Sequence, residues 1–105
     1  MSTAPLFQAK KEVYAWLREG RKTIDIRKGK ARRGDIAVFQ SGANHLRLPI
    51  TKKETGTLAE VIRADNYKQI IPPANSVEDA LSYLRGLYTA HNGTFTAYYL
   101  AKSKN

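Results

Sequence analysis

Apolar positions along this chain switch between two periods. Ala9, Val13, Trp16 and Leu17 fall at i, i+4, i+7 and i+8, one stripe of a helix, and predict a helix over residues 10–19. Gly20 stands where a helix C-cap belongs, with Arg21 and Lys22 behind it. The period then drops to two. Ile24 and Ile26 point one way while Thr23, Asp25 and Arg27 point the other, which predicts a half-buried strand over 23–27. Residues 28–34 read as a basic, glycine-punctuated loop, residues 35–40 as a mostly apolar strand through Ile36-Ala37-Val38-Phe39, and residues 41–44 as a turn. Alternation resumes over 45–51 on Leu46, Leu48 and Ile50, with Pro49 suggesting an edge strand or a bulge. Glu54-Thr55-Gly56 reads as a hairpin tip before a long strand over 57–64.

The second half repeats the alternation of elements. A helical turn is expected over 66–71, before Pro72-Pro73. Ser76, followed by Glu78 and Asp79, predicts the capped start of a helix over 77–88 whose apolar face is Ala80, Leu81, Leu84, Leu87 and Tyr88. A turn at 91–93 and a closing strand over 94–100 follow, and a frayed tail over 101–105, with a weaker strand candidate at 5–9. The total is two helices and about six short strands without a repeat, an α+β domain built as a small barrel or strongly curved sheet with flanking helices.

With 105 residues, of which 42% are hydrophobic, the chain is expected to form one domain with one modest core. Cysteine is absent, which excludes disulfides, thiol catalysis and thiolate-held metals. His45 and His91 have no partner at a metal-ligand spacing, so no metal and no cofactor are expected. The opening residues Met1-Ser2-Thr3-Ala4-Pro5 lack the features of a signal peptide and no apolar run is long enough to cross a bilayer, so a cytoplasmic monomer that avoids membranes is expected.

Charge changes the picture most. Lys and Arg number 18 against nine acids, a net charge of +9. Most of the excess is local: residues 18–33 carry Arg18, Arg21, Lys22, Arg27, Lys28, Lys30, Arg32 and Arg33 against Glu19 and Asp25. Gathered cations bind polyanions because each phosphate neutralised releases counterions. RNA, DNA, nucleotides and anionic surfaces are therefore the candidate partners, with an acidic protein or a merely solubilising charge as alternatives. Asp25 and Arg27 share a strand face and can pair, either as an ordinary surface ion pair or as a carboxylate that orients a ligand-contacting cation. Tyr67, Tyr83, Tyr88, Tyr98 and Tyr99 could stack on bases, although half-buried packing is the commoner use of Tyr. Tyr98 and Tyr99 face opposite ways on their strand. Ser41 would be a nucleophile only with a base beside it, and no nucleophile-elbow, P-loop or dinucleotide fingerprint is present.

The run Gly20-Arg21-Lys22-Thr23-Ile24-Asp25-Ile26-Arg27, then Arg33-Gly34-Asp35-Ile36-Ala37-Val38-Phe39, resembles the ASCH family, whose signature is G-x-K-x-x-E-x-R followed by a short loop and G-D-x-hydrophobic-x-F. Asp25 stands for the usual Glu, keeping the carboxylate with a shorter reach. The similarity extends over residues 5–101 through Ile70-Ile71-Pro72, Ala80-Leu81 and Tyr88. It implies a PUA-like β-barrel with a cleft between barrel and helix, lined by Lys22, Asp25 and Arg27 and bordered by Gln40 and Ser41. It also implies binding of RNA or a nucleotide-like ligand. Some members are amidohydrolases that deacylate N4-acetylcytidine, and a ribonuclease role has been suggested for others. The amidohydrolase members resemble this chain at Lys22. Their catalytic Thr position is Asp25 here, and their Glu falls near Pro72-Pro73, where no acid stands, so two of three catalytic positions differ.

Overall fold

The computed structural model describes residues 4–88 and 93–102. The expected turn around His91 and Asn92 and the last three residues of the expected tail lie outside them. The elements run β1 (Leu6–Gln8), α1 (Lys11–Arg18), β2 (Ile24–Lys28), β3 (Ile36–Ser41), β4 (Asn44–Gly56), α2 (Leu58–Val61), α3 (Tyr67–Ile70), α4 (Val77–Leu87) and β5 (Phe95–Leu100). The strands form one curled, half-barrel sheet in the order β1-β3-β4-β5-β2. Pairing is antiparallel except between β1 and β3.

β4 makes the curl. Its first half pairs with β3, Pro49 standing opposite Ile36, and its second half pairs with β5 from Ile50 opposite Leu100 to Gly56 opposite Phe95. The register shifts between Ile50 and Lys52, and such irregularities bend a strand and sharpen its twist. Pro49 therefore sits in a central strand at a bulge, and the alternative of an edge position is corrected. Its missing N–H costs nothing at the handover, where Ile50 N–H donates to Asp35 O and Pro49 O accepts from Ala101 N–H.

Three further expectations are revised. The 54–56 segment is no hairpin tip but the end of β4, paired with residues some forty positions away on β5. Residues 57–64 are not a strand: Thr57 caps a short helix, its Oγ1 accepting from Glu60 N–H at 3.2 Å while Glu60 Oε1 accepts from Thr57 N–H at 2.8 Å. That capping box outweighs the β-branched run behind it. The described residues thus form five strands and four helices in place of about six and two, and two of the helices are single turns.

Local signals explain the rest. α1 ends in a Schellman turn: Gly20 has φ +76°, Gly20 N–H donates to Leu17 O and Arg21 N–H to Trp16 O. Ser76 Oγ accepts from Asp79 N–H at the start of α4. Val13, Trp16 and Leu17 of α1 and Ala80, Leu81 and Leu84 of α4 are buried, as their stripes predict. They join Phe7, Phe39, Phe95 and Tyr98 in one core, where each fully buried large apolar side chain contributes roughly 1.5–3 kcal/mol.

Candidate ligand site at the barrel seam

The sheet ends on β1 and β2, so the half-barrel has a seam between these two edges. β1 and β2 are joined there by a side chain. Arg27 on β2 donates through Nη1 to the Gln8 carbonyl of β1 at 2.8 Å. Its Nε donates to Asp25 Oδ2 at 2.6 Å.

Asp25 is the hub. Strand alternation alone would turn Asp25 to solvent, but Ile24, Asp25 and Ile26 are all buried, because the curl turns the polar face of β2 into the barrel. The reading of an ordinary surface ion pair is thereby corrected. Lys22 is buried as well, its side chain 3% exposed, with Nζ 3.7 Å from Asp25 Oδ1. The Schellman turn aims it inward: Lys22 N–H donates to Trp16 O. Its ammonium donates to Ile24 O at 2.8 Å and to Ile70 O at 2.5 Å, and its third proton faces the Asp25 carboxylate. Burial lowers the Lys22 pKa to about 8, Asp25 pulling it back up and Arg27 adding to the fall. For Arg27, burial opposes the cation, but the charge and hydrogen bond of Asp25 win and raise its pKa. The cluster has two cations on one carboxylate, and no buried polar side-chain atom among the described residues lacks a partner.

Two cavities open along the seam. The first, of about 210 Å³, is lined by Lys22, Asp25 and Arg27 and by the apolar Val13, Ile71, Leu84 and Leu87. Tyr83, Tyr88 and the exposed Lys10 line it as well. Tyr88 OH donates to Ile26 O at 3.0 Å and its ring meets Phe95 edge-on; burial raises its pKa. Tyr83 packs on Trp16 and donates to Glu12 Oε2 at 3.2 Å, tying α4 to α1. The second cavity, of about 340 Å³, lies across Gln8, Arg27 and Tyr88, which it shares with the first, and adds Leu6, Phe7, Lys28 and Arg32. Leu6 and Leu87, the exposed large hydrophobic residues among those described, stand one at each cavity.

The basic segment is thus divided. Lys22, Arg27, Lys28 and Arg32 reach the seam, as does Tyr88. Arg21 turns to solvent and pairs with Glu19 at 3.3 Å. Lys30 and Arg33 are exposed and line neither cavity. Gln40 stands one hydrogen bond away, accepting from Gln8 Nε2 at 3.1 Å, while Ser41 faces Asn44 at the far end of the β3–β4 pair. Among the tyrosines, Tyr98 is fully buried, its hydroxyl accepting from Arg32 N–H at 2.9 Å, and Tyr99 lies on the opposite face with Arg63 and Asn66. Tyr83, one of the tyrosines offered as a stacking candidate, lines the first cavity, while Gln8, Lys10, Val13 and Leu87 join the site without any mark of it in the sequence. Periodicity identifies Val13 and Leu87 as apolar stripe members, but nothing local says that their stripes end at a ligand cavity.

Among the described residues no group of three or more His, Asp or Glu could hold a metal, and no helix is long and apolar enough to cross a membrane. No family model matches the chain, and no curated protein matches it. Two solved structures share its fold. One is the crystal structure of hypothetical protein PH0355, with TM-score 0.78 and 16% identity over 95% of this chain and 99% of that one. The other is the solution NMR structure of protein PF0455 from Pyrococcus furiosus, with TM-score 0.67 and 14% identity over 98% of this chain and 100% of that one. At these identities the likeness describes how the backbone is arranged and leaves the chemistry of the seam to its own residues.

Proposed function

We propose that this chain is a PUA-like module of the ASCH type that holds a nucleobase of RNA, or of a nucleotide-like ligand, in the seam between β1 and β2. The observation that carries the reading is the convergence of the paired Lys22, Asp25 and Arg27 on one cavity whose other lining is largely apolar and aromatic. These are the motif positions of the ASCH resemblance. A base has a flat apolar face and an edge of donors and acceptors. Tyr83, Tyr88, Leu84 and Leu87 suit the face. A carboxylate accepts from an exocyclic amine and a guanidinium donates to ring nitrogen or carbonyl, so Asp25 and Arg27 suit the edge. At about 210 Å³ the cavity falls below the ~300–1,000 Å³ of sites for larger ligands, which fits one base and not a stack.

Binding of fluorescently labelled single-stranded RNA, followed by anisotropy at rising salt, tests this. Affinity should fall linearly on a log–log scale with salt. No measurable binding at low salt, for single-stranded or structured RNA, would end the reading.

One observation favours a second reading, an amidohydrolase acting on N4-acetylcytidine-like substrates. A buried amine whose pKa is lowered to about 8 lines the cavity. Against it stand the two carbonyls and the carboxylate that occupy Lys22 Nζ, and the absence of an acid near Pro72-Pro73. Release of cytidine from N4-acetylcytidine above the level of a Lys22→Ala control decides between them.

A further inference from the structure

The seam side of β1 is chemically one-sided. In a parallel ladder, alternate residues of a strand bond to the neighbour and those between turn their backbone groups to the other side. Pro5 O accepts from Val38 N–H and Ala9 N–H donates to Gln40 O, with Leu6 opposite Val38 and Gln8 opposite Gln40. Leu6 and Gln8 therefore present their amides and carbonyls to the seam, where β1 is an edge of the sheet. Both carbonyls are already capped, Gln8 O by Arg27 Nη1 at 2.8 Å and Leu6 O by Arg32 Nη1 at 3.2 Å. The two amides have no partner among the described residues. What remains on offer along this edge is donors alone.

An exposed edge usually invites another strand, which pairs by giving and taking hydrogen bonds in turn. Here an incoming strand would find its N–H groups facing carbonyls that two guanidiniums already occupy. A group that only accepts meets no such conflict. The second cavity runs along this edge, and among the described residues its lining adds Lys28 and Arg32 to Arg27 and includes no carboxylate. Asp25 lines the first cavity, not the second. The two cavities are both cationic but differ in chemistry: the first combines donors with the Asp25 carboxylate as an acceptor, and the second offers donors and positive charge alone, the two being joined through Gln8, Arg27 and Tyr88.

We infer that the second cavity is a phosphate subsite, so that the seam takes a nucleotide, its base in the first cavity and its phosphate along the β1 edge, in preference to the bare nucleoside. This rests on the base-binding reading above. Phosphate oxygens accept from backbone N–H and from Arg at once, and charge-assisted bonds of this kind are the strong ones. The loop around Arg32 is fixed in place. Arg32 N–H donates to Tyr98 OH at 2.9 Å and Arg32 O accepts from Lys53 Nζ at 2.7 Å, so the side chain reaches β1 from an anchored backbone.

Calorimetric titration at low salt of the four common nucleosides, their 5′-monophosphates and inorganic phosphate, on the wild type and on Arg32→Gln, tests the inference. One monophosphate should bind about tenfold or more tightly than its nucleoside, the worth of a single charge-assisted bond. Arg32→Gln should remove that advantage and leave the nucleoside affinity in place, with circular dichroism showing the variant folded. Equal affinity for nucleoside and monophosphate overturns the phosphate subsite and leaves base binding standing. Phosphate and every monophosphate binding alike, with no nucleoside bound, supports the subsite and overturns the base reading. No binding by any of them overturns both.

Discussion

Arg27 Nε donates to Asp25 Oδ2 at 2.6 Å from a position two residues along the same strand, and the two side chains differ in burial, 24% exposed for Arg27 against 5% for Asp25. That asymmetry predicts unequal costs. Asp25→Ala strands the buried Lys22 and most of Arg27 without a counter-charge, and breaking a buried pair this way costs about 3–5 kcal/mol. Arg27→Ala leaves Asp25 paired with Lys22 and frees a partly solvated site, so the expected loss is about 1–3 kcal/mol. Urea unfolding of the two variants checks the order. Equal losses would mean that Asp25 does not serve both cations.

Lys22 should lose its proton early. Its pKa is lowered from 10.5 to about 8 by burial. Because the folded state gives up this proton more readily than the unfolded chain, burial of the ammonium weighs on stability in full below pH 8, and the weight lifts as pH rises from about 8 to about 10.5. Relative to a Lys22→Met variant, wild-type stability should therefore climb across that window by about 3 kcal/mol. The Lys22 Cε resonance followed by NMR should move near pH 8. A Lys22 resonance that titrates near 10.5 contradicts the burial argument.

Gly20 links the fold to the site, since the turn it makes aims Lys22 inward. Its φ of +76° is the left-handed conformation, and a Cβ there would meet only the Lys102 side chain, at 3.8 Å. Gly20→Ala therefore meets no clash and costs the conformational penalty alone, about 1–2 kcal/mol. Thermal unfolding should show that loss. NMR titration should leave the Lys22 pKa near its wild-type value, because the hydrogen bonds from Lys22 Nζ to Ile24 O and Ile70 O stay in reach. A Lys22 pKa that returns to the ordinary value in Gly20→Ala would show that the turn, and not the pocket, holds the ammonium.

How far the sequence reveals the molecule depends on how local each signal is. The stripes of α1 and α4, the Gly20 turn and the Ser76 cap are written within a few residues and are readable there. Residues 57–64 show the opposite: Leu58, Val61 and Ile62 look like a strand, while the Thr57–Glu60 capping box, four residues long, decides for helix. Thr57→Ala should accordingly cost about 1 kcal/mol in denaturant unfolding, and a neutral result would return the choice to tertiary packing. The end of β4 looks like a hairpin tip because its partners lie on β5, beyond the reach of any local pattern. The site follows the same rule. Lys22, Asp25 and Arg27 sit in one short motif and are legible, whereas Gln8, Tyr83 and Leu87 reach the seam only because the sheet curls and α4 packs beside it. Even within the motif, Arg21 looks like a member of the cation cluster by its neighbours and is sent outward by the Schellman turn.

Arg32 and Arg33 offer the sharpest separation of field from contact. They are neighbours in the chain and both exposed, so composition alone treats them alike. The structure distinguishes them: Arg32 reaches Leu6 O and lies over the Phe7 ring at 5.1 Å, inside the second cavity, while Arg33 lines neither cavity. A charge that acts at a distance changes how fast an anionic partner arrives, and salt screens the effect within about 10 Å at ordinary ionic strength. A charge in contact also changes how long the partner stays. Arg33→Glu should therefore slow association with labelled single-stranded RNA and leave dissociation near wild type. Arg32→Glu should slow association by a similar factor and speed dissociation about tenfold or more, the loss of one charge-assisted contact. Stopped-flow measurements at two salt concentrations read both rates. Raised salt should erase the Arg33→Glu difference and preserve the dissociation difference at Arg32. Equal dissociation rates for the two variants would place RNA away from the seam and assign both arginines to the diffuse positive field alone.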